Sequence, residues 1–290
     1  MSGRKMIEIL YVKHNWFKDI VGALIPILEQ KYNIKINAKP IARKEYNFNF
    51  NDTQPWTLLQ KCVIFRNIEN GLYFILDPHD HANHVLQFIA PLDTDKKFVY
   101  LYKVQYDPSL IVPGHPLIAP FTYIPKYPVQ YEELRKPIAT TVKNIDGLSF
   151  AGKEWKGRRK VLNELKDILD SPERMNYPEY LSHLATVKIA LSLPGHGNFC
   201  HREIEAFGLG TPVLMPTLKN EYADPLVPYK HYIPCNYIAT SIRLAYEEWK
   251  NDDHLECIAE NALDWYENNC TVKSFAKHLS MGMNKILKKA

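Results

Sequence analysis

Between Leu191 and Pro216 the chain reads LSLPGHGNFCHREIEAFGLGTPVLMP: an apolar run, a glycine loop, a stretch carrying an arginine and two glutamates, and a second apolar run. A glycine loop that follows a strand and leads into a helix suits an anion. The helix N-terminus offers free N–H groups and partial positive charge, and glycine lets a phosphate come close. Arg202 and Glu205 stand three apart, on one side of the expected helix. A guanidinium can neutralise a diphosphate with paired hydrogen bonds, and a carboxylate can accept both hydroxyls of a ribose. A nucleoside diphosphate needs both. Neither G-x-G-x-x-G nor G-x-x-x-x-G-K-[ST] is present, so a dinucleotide fingerprint and a P-loop are not expected. Taken in isolation, Arg202 and Glu205 also fit a solvated i,i+3 ion pair.

A second concentration of reactive groups is LYFILDPHDHANHV, where Asp77, His79, Asp80, His81 and His84 follow an apolar strand. In an α/β domain that is the carboxyl end of a strand, where ligands bind. Three chemistries compete. A metal site is suggested by His81 and His84 three apart, but H-E-x-x-H and a distal ligand set are missing. A structural role would make Asp80 the N-cap of a helix over HANHVLQFI. A general base would take the proton from an attacking hydroxyl. His14, in YVKHNWF just after the first strand, is the second candidate base, with a loop or capping role as its alternative. His115, in PGHP, reads as part of a turn. In KGRRKVLNELKDIL, Arg158 and Arg159 on their own read as a basic helix face.

Strands and helices alternate around these groups. IEILYV, IKINAKPI, LYFILD and KFVYLYKVQY read as strands. NWFKDIVGALIPILEQKYN places Phe17, Ile20, Val21, Leu24 and Leu28 at helical spacing, with Pro26 inside. Seven prolines fall between Asp107 and Pro137, an extended connection with a strand in IAPFTYI. Beyond it the same grammar restarts: strands in DGLSFAG, TVKIALSLPG, TPVLMP and KHYIPC, helices in KGRRKVLNELKDIL and CHREIEAFGLG, then helices from about Ile238 with a break near Thr271. The pattern predicts two α/β domains with parallel sheets, residues 1–137 and 138–290, with ligands in a cleft at the strands' carboxyl ends.

The 290 residues are 46% apolar and 23% charged, enough for two cores of ordinary size. A net charge of +4 without a long basic run predicts no nucleic-acid partner and tolerates an anionic ligand. The five scattered cysteines, with no C-x-x-C, the polar start and the lack of an 18-residue apolar run predict a cytoplasmic protein with no membrane span.

HREIEAFGLGTPVLMP resembles the R-x-x-E-A signature of exostosin-like glycosyltransferases. LVPYKHYIPCNY, YEEWKNDDHLECIAENALDWYENNCT and LSFAGKEWKGRRKVLNEL resemble segments of the capsule-associated and protein O-glucosyltransferase (Rumi-like) family. The resemblance covers about Gly147–Thr271, and this chain is more similar to a microbial or viral relative than to secreted members. Ala151 stands where the family has an arginine.

The resemblance implies a GT-B fold of two facing Rossmann-like domains and an inverting transfer of glucose or xylose from a UDP-sugar to a hydroxyl of a glycan or glycoprotein. It implies no metal and no cofactor beyond the donor. Arg202, with Arg158 or Arg159, would face the diphosphate. Glu205 would hold the ribose, and Gly195, Gly197 and Asn198 would line the phosphates. Asp80 would be the base, although His79 and His81 replace the residues that flank it in the family. His231 and Tyr232 lie in a family segment with a structural alternative. Two rival readings remain at this point: a metal-dependent hydrolase built on Asp77–His84, and a nucleotide- or glycan-binding module without catalysis.

Overall fold

The computed structural model describes residues 4–41, 62–78, 96–109, 117–139, 141–152, 156–170, 175–195 and 197–288. The chain forms two compact units. One is Met1–Tyr123 with Asn220–Asp224 and Thr271–Ala290; the other is Ile124–Lys219 with Pro225–Cys270.

The first unit is built on a six-stranded sheet in the order β2-β1-β3-β4-β5-β6. Its strands are β1 (Met6–Val12), β2 (Lys35–Ile41), β3 (Val63–Asn67), β4 (Tyr73–Asp77), β5 (Phe98–Lys103) and β6 (Ile118–Pro120). Helix α1 (Asn15–Tyr32) follows β1 and buries the predicted stripe of Phe17, Ile20, Val21, Leu24 and Leu28, while Pro26 lies on its exposed side. The sheet is mixed, not all parallel as expected. β3 runs antiparallel to both β1 and β4. The β3–β4 hairpin turns at Gly71, whose φ of +73° favours glycine. Val63, Ile64 and Phe65 are all buried, so β3 shows no polar alternation to mark it in the sequence.

The second unit carries a wholly parallel sheet of β7 (Ile145–Ser149), β8 (Leu169–Asp170), β9 (Val187–Leu191), β10 (Val213–Pro216) and β11 (Ile233–Cys235). Its order, β8-β7-β9-β10-β11, is the doubly wound 2-1-3-4-5 arrangement. The winding reverses between β7 and β9. The helices are α2 (Pro128–Ile138), α3 (Lys156–Glu164), α4 (Tyr177–Thr186), α5 (His201–Gly208), α6 (Ala239–Trp249) and α7 (His254–Asn269). Helix α3 follows β7 and α5 follows β9, so both begin at the carboxyl edge of the sheet on either side of the reversal. Helix α4 follows a polar stretch and is not among the predicted helices. It starts with Tyr177-Pro178 and is capped by Asn176, whose side chain accepts from the Glu179 N–H at 3.0 Å.

The units divide at 123/124, not at 137/138, for a local reason. Helix α2 belongs to the second unit: the Tyr131 hydroxyl donates to the Glu205 carbonyl at 2.7 Å, and Arg135 donates to Glu267 at 2.6 Å. Gly208 permits this approach, since a Cβ there would sit 2.3 Å from the Tyr131 oxygen. At the other end, the break near Thr271 is where the chain returns to the first unit as α8 (Val272–His278) and α9 (Ser280–Leu287). Phe275, Ala276, Leu279, Met283 and Ile286 are buried there. The Gly282 N–H donates to the Tyr102 hydroxyl at 2.8 Å, and a Cβ at that glycine would meet the Phe74 ring at 2.8 Å. No helix among the described residues is long and apolar enough to cross a membrane.

Candidate functional site

The reversal between β7 and β9 is where a doubly wound sheet leaves a crevice for ligands. β7 ends at Ser149 and is followed by Phe150, a buried ring. β9 ends at Leu191 and is followed by Ser192, Leu193, Pro194 and Gly195. Two guanidiniums converge on the Phe150 ring: Arg202, from the first turn of α5, at 5.1 Å from its centroid, and Arg158, from α3, at 5.6 Å.

Each guanidinium is held by neutral oxygens. Arg158 is buried; its Nε donates to the Pro194 carbonyl at 2.9 Å and its Nη2 to the Leu193 carbonyl at 2.6 Å. Arg202 donates through Nε to the Ala151 carbonyl at 3.2 Å and through Nη1 to the Ser192 hydroxyl at 3.1 Å. Burial, and then the positive charge of Arg202, hold the Arg158 pKa below its ordinary value. Burial opposes the charge of Arg202 as well. Cys200, Glu203, Tyr180 and Glu205 outweigh it, and its pKa lies above the ordinary value.

The glycines make room for these heads. A Cβ on Gly195 would stand 3.1 Å from Arg158 Nη2, and one on Gly152 would stand 2.9 Å from Arg202 Nη2. The Gly195 N–H also closes the loop by donating to the Gly197 carbonyl at 3.0 Å. Asn198 is exposed on the same loop. Of the two adjacent arginines, Arg158 is turned inward onto the loop and Arg159 is exposed. Ala151, where the resembling family has arginine, contributes its carbonyl to Arg202.

Glu205, the ribose candidate, lies near Arg202 on α5. Its carboxylate is buried, accepting the Tyr177 hydroxyl at 2.7 Å and the Lys126 N–H at 3.2 Å. Burial pushes its pKa up to about 7, against the opposing pull of the Tyr177, Lys126 and Tyr180 hydrogen bonds and of Arg202. Glu203 is the carboxylate linked to Arg202 through the Ser192 hydroxyl. The Ser192 hydroxyl donates to one of its oxygens, and the other accepts the Cys200 N–H at 2.9 Å. Neither Ser192 nor Glu203 was singled out from the sequence. His231 and Tyr232 are buried in the loop before β11. The His231 ring nitrogen Nδ1 accepts the Val227 N–H at 2.9 Å, which helps fix the turn in which Tyr229 adopts a φ of +63°.

Of the histidine–aspartate cluster in the first unit, His79, Asp80, His81 and His84 lie outside the described residues, as does His115. Asp77 closes β4. It is fully buried, with the equally buried Lys103 ammonium of β5 at 3.3 Å. The Cys62 thiol lies beside them, its pKa pushed well up by burial and by Asp77. His14 is exposed just beyond β1. Its carbonyl accepts the Lys18 N–H at 3.0 Å at the start of α1, and its ring meets Phe17 edge-on at 6.4 Å between centroids.

No protein-family model matches the sequence, and no curated protein matches it. Among solved structures, a glycosyltransferase from Rickettsia africae ESF-5 superposes over 100% of both chains with a TM-score of 0.54 and 11% identity. HepE of Anabaena, in complex with UDP, covers 97% of this chain and 100% of its own, with a TM-score of 0.49 and 9% identity. The pneumococcal O-GlcNAc transferase GtfA, in complex with UDP and GlcNAc, superposes over 100% of both chains with a TM-score of 0.44 and 9% identity. At such identities the likeness to the Rickettsia protein speaks for the fold. The two α/β units are the Rossmann-like halves of a GT-B fold.

Proposed function

We propose that this chain is a glycosyltransferase that moves a sugar from a UDP-sugar to a hydroxyl of a glycan or glycoprotein. The observation that carries the reading is the pair of guanidiniums at the β7–β9 reversal, each anchored on neutral oxygens. Arg158 is buried and Arg202 half-buried, and two guanidiniums gathered on one ring suit the two phosphates of a nucleoside diphosphate. The resemblance around Arg202 supports a UDP-sugar, with glucose or xylose as the sugar.

In this reading the C–O bond between the anomeric carbon and the diphosphate breaks, and its electron pair leaves with UDP. Arg158 and Arg202 stabilise the charge that develops on the leaving phosphate, so the step needs no divalent cation. The acceptor oxygen attacks from the opposite face, forms the new C–O bond with inversion, and gives its proton to a base. Asp80 is the base that the resemblance favours, with His14 second.

The test is UDP release from UDP-glucose and from UDP-xylose, measured with a panel of monosaccharide and oligosaccharide acceptors. Acceptor-stimulated release with one donor, lost in Arg202→Ala, is the expected result. Release no greater than in Arg202→Ala for either donor would contradict the proposal. Asp80→Asn should abolish transfer and keep UDP binding. Near-normal transfer by that variant would move the base to another group, with His14→Ala the next variant to assay.

A further inference from the structure

Arg202 is aimed by two residues that take no direct part in the chemistry proposed above. Ser192 is the first residue after β9, and its backbone N–H is fixed to the Leu214 carbonyl of β10 at 2.9 Å. Its side chain stands between a guanidinium and a carboxylate: Arg202 Nη1 donates to the hydroxyl oxygen at 3.1 Å, and the hydroxyl donates to Glu203. Both Ser192 and Glu203 are almost wholly buried, at 3% and 2% exposure. The second oxygen of Glu203 accepts the Cys200 N–H at 2.9 Å, which pins the carboxylate to the start of α5.

The order of these groups has a physical consequence. A carboxylate bonded directly to Arg202 would occupy the same N–H groups that a phosphate needs and would cancel the charge that attracts it. An interposed hydroxyl fixes the direction of the guanidinium through a neutral atom. Because its proton is given to a carboxylate, the hydroxyl oxygen is also polarised into a better acceptor. We propose that Ser192 and Glu203 are positioning residues, a hydroxyl–carboxylate relay that holds Arg202 in the geometry for a nucleoside diphosphate without the carboxylate itself occupying the guanidinium N–H groups. This inference rests on the reading of Arg202 as a diphosphate ligand.

A double-mutant cycle on UDP affinity tests it, using calorimetric titration of the purified full chain. The variants are Ser192→Ala, Arg202→Ala and the pair together, with Glu203→Gln as an independent second probe and urea unfolding of each as a control for the fold. Removing the hydroxyl should weaken UDP binding on the order of tenfold. Glu203→Gln should weaken it in the same direction, since an amide has one acceptor oxygen for two donors. In the Arg202→Ala background, Ser192→Ala should cost nothing further, because its effect passes through the arginine. A merely structural role predicts the same loss in both backgrounds. Wild-type affinity in both Ser192→Ala and Glu203→Gln, with Arg202→Ala impaired, would overturn the relay and spare the diphosphate reading. No UDP binding by the wild type, or an unimpaired Arg202→Ala, would overturn both.

Discussion

The carboxyl ends of two strand pairs can be compared, one in each unit. At β4 and β5 in the first unit, Asp77 and Lys103 bury opposite charges 3.3 Å apart. At β7 and β9 in the second, Arg158 and Arg202 gather like charges around one phenyl ring and rest on carbonyl and hydroxyl oxygens. The first arrangement pairs its charges one to one and reads as architecture. In the second, Arg202 holds the Arg158 pKa down while Glu203 and Glu205 help to hold the Arg202 pKa up. Buried charge is common to both places; the gathering of two guanidiniums is what separates the second from the first.

The largest effect is expected at the ion pair. Asp77→Ala would leave a buried ammonium without this carboxylate, and unfolding in urea should show a loss of about 3–5 kcal/mol. Replacing both members by Leu and Met should recover much of that loss. A small effect of Asp77→Ala would mean that the pair is not the structural unit described.

The next largest effect is expected at Glu205, whose pKa is raised to about 7 by burial. Between pH 4.5 and 7 the folded state keeps a proton that the unfolded state has lost. Stability is therefore fully present below pH 4.5 and falls as the pH rises through 7, by roughly 3 kcal/mol for this group. Urea unfolding across that window should show the decline in the wild type and a correspondingly flatter profile in Glu205→Gln. Parallel profiles would contradict the assignment.

Single arginine substitutions sharpen the other side. Arg158→Ala should lower UDP affinity by about 10- to 100-fold, the value of a hydrogen bond to a charged group, as read by calorimetry. It should cost far less stability than Asp77→Ala, because it also removes a like-charge repulsion. The smallest effect should come from Gly195→Ala. Its Cβ, at 3.1 Å from Arg158 Nη2, would force the guanidinium to shift by a few tenths of an ångström. A loss of UDP affinity of about threefold is expected; a loss as large as that of Arg158→Ala would show the loop to be the main ligand.

Much of the second unit could be read directly from the chain. β9 and β10 are apolar runs bounded by glycine and proline, and the loop and Arg202 between them stand out. Which of Arg158 and Arg159 turns inward depends on the rotational phase of a basic helix and shows only when the β9 loop is in place. Glu203 left a faint trace. It stands three residues after Cys200, the spacing of a capping box whose first position is normally Ser or Thr, so cysteine hid the motif. Ser192 had no trace at all, being one polar residue at the end of an apolar run. The destination of the last helices was equally hidden. Their apolar stripe announces that they pack, but Gly282 against Phe74 and Tyr102 is what selects the first sheet.

The most direct test of the central claim is a calorimetric titration of UDP into the wild type and into the double variant Arg158→Ala/Arg202→Ala, with the urea midpoint of each measured alongside. Expected are saturable binding by the wild type and loss of measurable binding by a double variant that still unfolds cooperatively in urea. Equal UDP affinity in the two proteins, or no binding by a folded wild type, would contradict it.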